Sequence, residues 1–156
     1  EVNVLRCDIS GDKSVATLAE HFRKEAQRPL RGALHLAGVL EDAMILQLTR
    51  GHFERAFGPK VAGAGRLHDA AQGASIDFIV LYSSTAALLG AAGQANYSAA
   101  NACLDALAHH WRLGGKPASS VQWGPWLSVG MAAQNNSFAR LKLGGISNEL
   151  GTSVFV

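Results

Sequence analysis

The chain has 156 residues, 48% of them hydrophobic and 17% charged, with a formal net charge of +2. That is enough apolar surface for the core of one domain and too little charge for a disordered tail. It also lacks a Lys/Arg cluster interleaved with aromatics, so nucleic-acid binding finds no support. There is no signal-peptide pattern and no apolar run of membrane-spanning length, so no membrane role is expected. The two cysteines, Cys7 and Cys103, read as small core residues in a reducing, cytoplasmic compartment, and no Cys/His spacing suggests a metal site.

In chain order, Val2 to Cys7 alternates apolar and polar side chains and predicts a short strand, with Asp8 at its end. Polar groups from Ser10 to Asp12 suit a helix start. Val15, Leu18, Ala19, Phe22 and Ala26 then fall at helical spacing. Gly32 to Leu36 predicts a second strand, and Ala37-Gly38 turns the chain out of it. A helix is expected over Asp42 to Leu48. A longer one, capped by Thr49, presents Phe53, Ala56, Phe57, Val61, Ala64 and Leu67; Pro59 inside it predicts a kink.

Ile76 to Ser83 is almost continuously apolar, as befits a strand covered on both faces. A small-residue loop from Ser84 to Gly93 follows. The next helix places Ala100, Cys103, Leu104, Leu107, Ala108 and Trp111 on its core side and ends at Gly114-Gly115. Ala118 to Trp123 predicts a fourth strand. Residues 127 to 138 read as a mobile loop, with a short helix around Phe138 to Leu143.

Strands alternating with helices imply parallel pairing through crossovers, hence an α/β, Rossmann-like three-layer sandwich. Ligands of such sheets bind beyond the carboxyl ends of the strands. Asp8, Ala37-Gly38, Ser83-Ser84 and Trp123-Gly124-Pro125 all fall at such ends.

Four residues suit one chemistry. Tyr97 and Asn101 lie four apart on a helix and share a face. Ser84 ends the buried strand that leads into that helix, and Lys60 follows Pro59 on an earlier one. Judged singly, Tyr97 reads as a surface residue, Ser84 as a turn residue and Lys60 as a lysine snorkelling from the core edge. Together they suit carbonyl reduction. A tyrosine supplies a proton, a serine orients the oxygen, an asparagine holds a relay water, and a cation offsets a phenol pKa near 10. The hydride must come from a cofactor, because no side chain supplies one.

At this point the segments match a known family. YSSTAALLGAAGQANYSAANACLDALA (Tyr82 to Ala108) resembles the active-site segment of modular polyketide-synthase ketoreductases, members of the short-chain dehydrogenase/reductase superfamily. HLAGVLEDA (His35 to Ala43) resembles their strand-end cofactor segment, PKVAGAGRLH (Pro59 to His68) their lysine helix, and VQWGPW (Val121 to Trp126) with Gly130-Met131 the approach to the substrate lid. RLKLGGIS (Arg140 to Ser147) resembles the region after the lid.

The resemblance implies that Tyr97 is the proton donor and that Ser84 polarises the β-keto oxygen. It implies that Lys60 depresses the phenol pKa and holds the nicotinamide ribose, and that Asn101 supports the relay. Most short-chain dehydrogenases carry the lysine four residues after the tyrosine. Here Asn101 stands there and the lysine comes from the earlier helix, as in polyketide and animal fatty-acid synthase ketoreductases. Asp8 and Ile9 match adenine-contacting positions, Ala37 and Gly38 a close cofactor approach, and Gly124 and Pro125 the nicotinamide side.

The resemblance further implies NADPH as cofactor and a β-ketoacyl chain on acyl carrier protein as substrate, with neighbouring synthase domains as partners. Leu40-Glu41-Asp42, with its final aspartate, and Leu89, where A-type members carry tryptophan, point to B-type stereochemistry. Residues 1–126 would form the catalytic part and 127–156 the lid loop and following segment. The family's first strands and glycine-rich phosphate turn have no counterpart here, so the expected fold is an incomplete one that is poorly active alone. A fatty-acid synthase ketoreductase and a truncated, non-catalytic scaffold are the competing readings. His35, His52, His68, His109 and His110 carry no assigned role.

Overall fold

A computed structural model describes residues 2–24, 29–134 and 144–155. Three parallel strands form one sheet in the order β1-β2-β3: β1 (Gly32–His35), β2 (Phe78–Ser84) and β3 (Ala118–Trp123). Leu34 aligns with Val80, and Tyr82 with Val121. Seven α-helices lie among the described residues: α1 (Asp12–Lys24), α2 (Arg50–Phe57), α3 (Gly63–Ala70), α4 (Ala86–Leu89), α5 (Ala95–Leu113), α6 (Gly130–Gln134) and α7 (Asn148–Thr152).

Alternation in the strands decides where the core sits. Ala33, Ile79, Leu81 and Ala118 point to the face covered by α3 and α5, where Ala64, Leu104, Ala108 and Trp111 meet them. Polar residues on that face find partners on α5. Ser120 Oγ and Gln122 Nε2 both donate to the Asp105 carboxylate, and Ser83 Oγ donates to the Asn101 carbonyl at 3.2 Å. On the opposite face Tyr82, Trp123, Trp126 and Phe155 pack ring against ring. Leu34 and Phe78, farther along that face, are each 46% exposed.

Three elements depart from the sequence reading. Val2 to Cys7 is not a strand; it forms no ladder, and Val2 and Val4 are each 88% exposed. Alternation suits a half-buried strand only where a sheet takes it in, and the sheet of the described residues runs β1-β2-β3 without it. Asp8 therefore opens the turn into α1 instead of ending a strand, with Gly11 N–H donating to its carbonyl. Asp42 to Leu48 holds only one 3₁₀ turn, Ile45–Gln47, because backbone and side chains of this stretch bond across to the start of α5. Residues 127–134 include α6 where a loop was expected. The helix expected at Phe138 to Leu143 and the apolar position Ala26 lie outside the described residues.

Two further readings change in detail. Cys7 and Cys103 are half-buried, not core residues. Pro59 does not kink a single helix; it sits in a π-helical turn, Gly58–Ala62, between α2 and α3. Proline has no N–H to give, and widening the turn by a residue accommodates that without breaking the axis. Gly115, with φ of 78°, ends α5 as the paired glycines suggest.

Candidate active site

A cavity of about 420 Å³ opens at the carboxyl ends of β2 and β3. Lys60, Ser84, Tyr97, Gly38, Gly124 and Pro125 line it, as strand-end placement predicts. Trp126, Val129 and Met131 add an apolar wall to it. That wall is tied down from the C-terminal segment. Ile146 N–H donates to the Pro125 carbonyl at 2.8 Å, Leu127 N–H donates to the Ile146 carbonyl at 2.9 Å, and the Trp126 ring lies over Gly151.

Each polar group arrives on its own element. The π turn carries Lys60 inward, so the residue is only 3% exposed. Its Nζ donates to the Tyr82 carbonyl at 3.0 Å and stands 5.3 Å from the centre of the Tyr97 ring. Burial lowers its pKa to about 8, a shift the Asp105 charge partly opposes. Gly38 makes room for this course: a Cβ there would lie 2.9 Å from Lys60 Cε.

Tyr97 sits in the first turn of α5, just past the Ala86–Leu89 helix. Burial raises its phenol pKa, with Ser84 and Asn101, hydrogen-bonding neighbours of the phenol, pulling it down and the Asp42 charge pushing it further up. Burial therefore outweighs the depression expected from Lys60, whose ammonium faces the ring and bonds the Tyr82 carbonyl. Asn101 is fully buried; its Nδ2 donates to the Tyr97 carbonyl at 2.8 Å, and its Oδ1 has no partner among the described residues. A buried acceptor beside a phenol is what a bound water or ligand hydroxyl would satisfy.

The other expected positions lie apart from this cluster. Asp8 and Ile9 do not line the cavity. Asp8 accepts from Ser10 N–H and Oγ, which lowers its pKa, and Ile9 packs where a Cβ on Gly63 would stand. Ala37 does not line the cavity either. Leu89 lies on its rim. Asp42 is reached through Gln94, whose Nε2 lies 3.1 Å from both carboxylate oxygens.

Sequence reasoning passed over Gln94 and Asn96. Asn96 Nδ2 donates to the carbonyls of Glu41 and His52, locking the Glu41-Asp42 segment to the start of α5. The adjacency of Gln94 and Asn96 to Tyr97 was the available signal.

Residues 1–128 match the family model described as KR domain. The chain is 40% identical over 160 residues to the spectinabilin polyketide synthase system protein NorB of Streptomyces orinoci, which covers 99% of this chain and 7% of that protein. It is 40% identical over 149 residues to the 6-methylsalicylic acid synthase of Penicillium expansum, covering 94% of this chain and 8% of that one. Among solved structures, an A1-type ketoreductase superposes with a TM-score of 0.91 at 36% identity, over 99% of this chain and 33% of its own. An A-type ketoreductase from a modular polyketide synthase gives 0.89 at 35% identity, over 99% and 33%. The chain therefore spans less than a tenth of these curated relatives and a third of these solved chains.

Proposed function

This chain belongs to the KR domain family, the ketoreductase domains of modular polyketide synthases within the short-chain dehydrogenase/reductase superfamily, and on that premise we propose that it reduces a β-ketoacyl thioester to the β-hydroxyacyl thioester. The observation that carries this reading is the meeting of Lys60, Ser84 and Tyr97 at one strand-end cavity, with the buried Asn101 bonded to the Tyr97 carbonyl behind it.

Ketoreductase domains of this superfamily bind a nicotinamide cofactor, which when bound supplies the hydride. The residues present fit its reactive end. Gly38, Gly124 and Pro125 line the cavity beside Lys60 and Tyr97, and the buried Asn101 Oδ1, without a partner among the described residues, offers an acceptor behind Tyr97. NADPH is the form we propose, with Lys60, Tyr97, Gly38, Ala37, Gly124 and Pro125 toward the nicotinamide half and Asp8 and Ile9 toward the adenine.

The side chains then divide the work on the ketone. Tyr97 keeps its proton through neutral pH because burial raises its pKa, so it stands loaded as the acid. As the carbonyl carbon gains hydride, its oxygen gains negative charge and takes the phenol proton. Ser84, on the same wall, holds that oxygen in line by a hydrogen bond. Lys60 places a positive charge beside the ring, which favours the transient phenolate, and Asn101 lies behind it to hold the reprotonation path. Trp126, Val129 and Met131 give the reacting centre an apolar wall.

The substrate is proposed to arrive on an acyl carrier protein within a synthase whose neighbouring domains supply and consume it, in the cytoplasm. Residues 1–126 form the catalytic part and 127–156 the lid and its anchor. The proposed product is the B-type, D-configured alcohol, supported by Leu89 at the rim and by Asp42 fixed beside the cleft through Gln94. The test is incubation of the intact polypeptide with NADPH and a β-ketoacyl N-acetylcysteamine thioester, with product analysis by mass spectrometry. A β-hydroxyacyl product at catalytic turnover supports the reading. No cofactor oxidation across several chain lengths would refute it.

A further inference from the structure

We propose that His35 is a positioning residue for the reaction: donated to the Lys60 carbonyl, its Nε2–H holds the π turn open and so keeps the Lys60 side chain turned into the cavity beside Tyr97. This rests on the reading of Lys60 as part of the reducing site.

The geometry starts from Pro59. In the turn Gly58–Ala62 the Gly63 N–H reaches back five residues to the Gly58 carbonyl and three to that of Lys60, passing over Pro59. The Lys60 carbonyl thus shares the Gly63 N–H with that of Gly58, and a carbonyl oxygen has a second lone pair for another donor. His35 supplies that second donor. It is buried at the end of β1, and its Nε2 lies 2.8 Å from the Lys60 carbonyl. A carbonyl only accepts, so Nε2 carries the proton. Burial is the main cause of the lowered His35 pKa, so the ring is neutral and presents one defined donor at neutral pH.

Gly63 makes the contact possible, since a Cβ there would come within 3.2 Å of His35 Cε1 and 2.8 Å of Ile9 Cγ2. The consequence is rotational. In an α-helix each residue turns by about 100°, so closing the widened turn by one residue would swing Lys60 off its inward course. In the open form Lys60 is directed at the Tyr82 carbonyl and the Tyr97 ring. The charged and titratable groups facing it are Tyr97 and Asp105 from α5 and His35 from β1.

Three variants of the intact polypeptide test this: His35→Leu, which keeps bulk and removes the donor; His35→Gln, whose amide N–H restores one; and Gly63→Ala, which crowds the ring. His35→Leu is expected to lower kcat about 10²-fold with little change in the KM for the thioester, because it misplaces a catalytic group without touching substrate contacts. The basic limb of its pH–rate profile should move up from about 8 toward the 10.5 of a solvated lysine. Hydrogen exchange of the peptide over residues 58–66 should change in the same variant. His35→Gln should return kcat, limb and exchange most of the way, and Gly63→Ala should reproduce the loss in milder form. An unchanged basic limb in both His35→Leu and Gly63→Ala would overturn the proposal. So would unchanged exchange over the π turn, a readout independent of turnover. Full activity in Lys60→Met would instead overturn the functional reading.

Discussion

Lys60 Nζ stands 5.3 Å from the centre of the Tyr97 ring, and its hydrogen bond goes to the backbone carbonyl of Tyr82. The cation thus acts on the phenol through space. Its protonation sets a boundary for the reaction, since its pKa is lowered to about 8, chiefly by burial, while that of Tyr97 is raised. Reduction should therefore fall as pH rises through about 8, where Lys60 loses its charge, although Tyr97 remains protonated. The pH dependence of kcat at saturating thioester and NADPH checks this; a basic limb at the ordinary tyrosine value would oppose it.

The same burial makes Lys60 a cost to the fold. Its folded pKa of about 8 lies below the 10.5 of a free lysine. Between those values the unfolded chain holds a proton the folded chain does not, so stability rises with pH across that window. Below about 8 both states are charged and the whole cost is present, roughly 3 kcal/mol for such a shift. Lys60→Met gives up one hydrogen bond, worth roughly 1 kcal/mol, and should gain about 2 kcal/mol at pH 7 while losing activity. Denaturant unfolding at pH 7 and pH 10 measures it; the difference between parent and variant should shrink at the higher pH.

Gly38→Ala is a purely steric perturbation. Its Cβ would approach Lys60 Cγ at 3.4 Å and Cε at 2.9 Å, so the lysine must move by several tenths of an ångström. Displacement of a catalytic group on this scale lowers kcat by about 10-fold or more, with a smaller effect on folding. Steady-state kinetics beside a thermal melt separate the two.

The stereochemical proposal is checked by chiral chromatography of the released β-hydroxy acid, which should be D-configured. Gln94→Leu removes the donor that fixes the Asp42 carboxylate. It should lower stereochemical purity more than it lowers rate, because Asp42 is bonded at the cleft margin and not to Tyr97. An L-configured product from the parent chain would count against the assignment.

Much of this site was legible in the residues. Ser84, Tyr97 and Lys60 meet at one cavity because they occupy a strand end, the first turn of the next helix and a helix packed beside both, and strand–helix alternation announces that arrangement. The core stripe of α5 was equally plain, since Leu104, Ala108 and Trp111 recur at helical spacing and are buried. Other features depend on neighbours that local pattern does not contain. Val2 to Cys7 alternates like a strand, yet a ladder needs a second chain segment. The helix expected at Asp42 to Leu48 gives way to contacts with Gly93, Gln94 and Asn96, some fifty residues on. The direction of the Tyr97 pKa depended on burial, which spacing does not fix. His35 carried no sequence signal beyond its place in the strand, because the carbonyl it meets belongs to a π turn that local spacing does not announce.

The central claim is that Tyr97 gives the proton to the ketone. Tyr97→Phe in the intact polypeptide, assayed by NADPH oxidation with a β-ketoacyl thioester, tests it most directly. The account predicts a fall in kcat of about 10²–10⁴-fold, with folding and cofactor affinity close to those of the parent. Near-parental turnover in a folded Tyr97→Phe protein would contradict it.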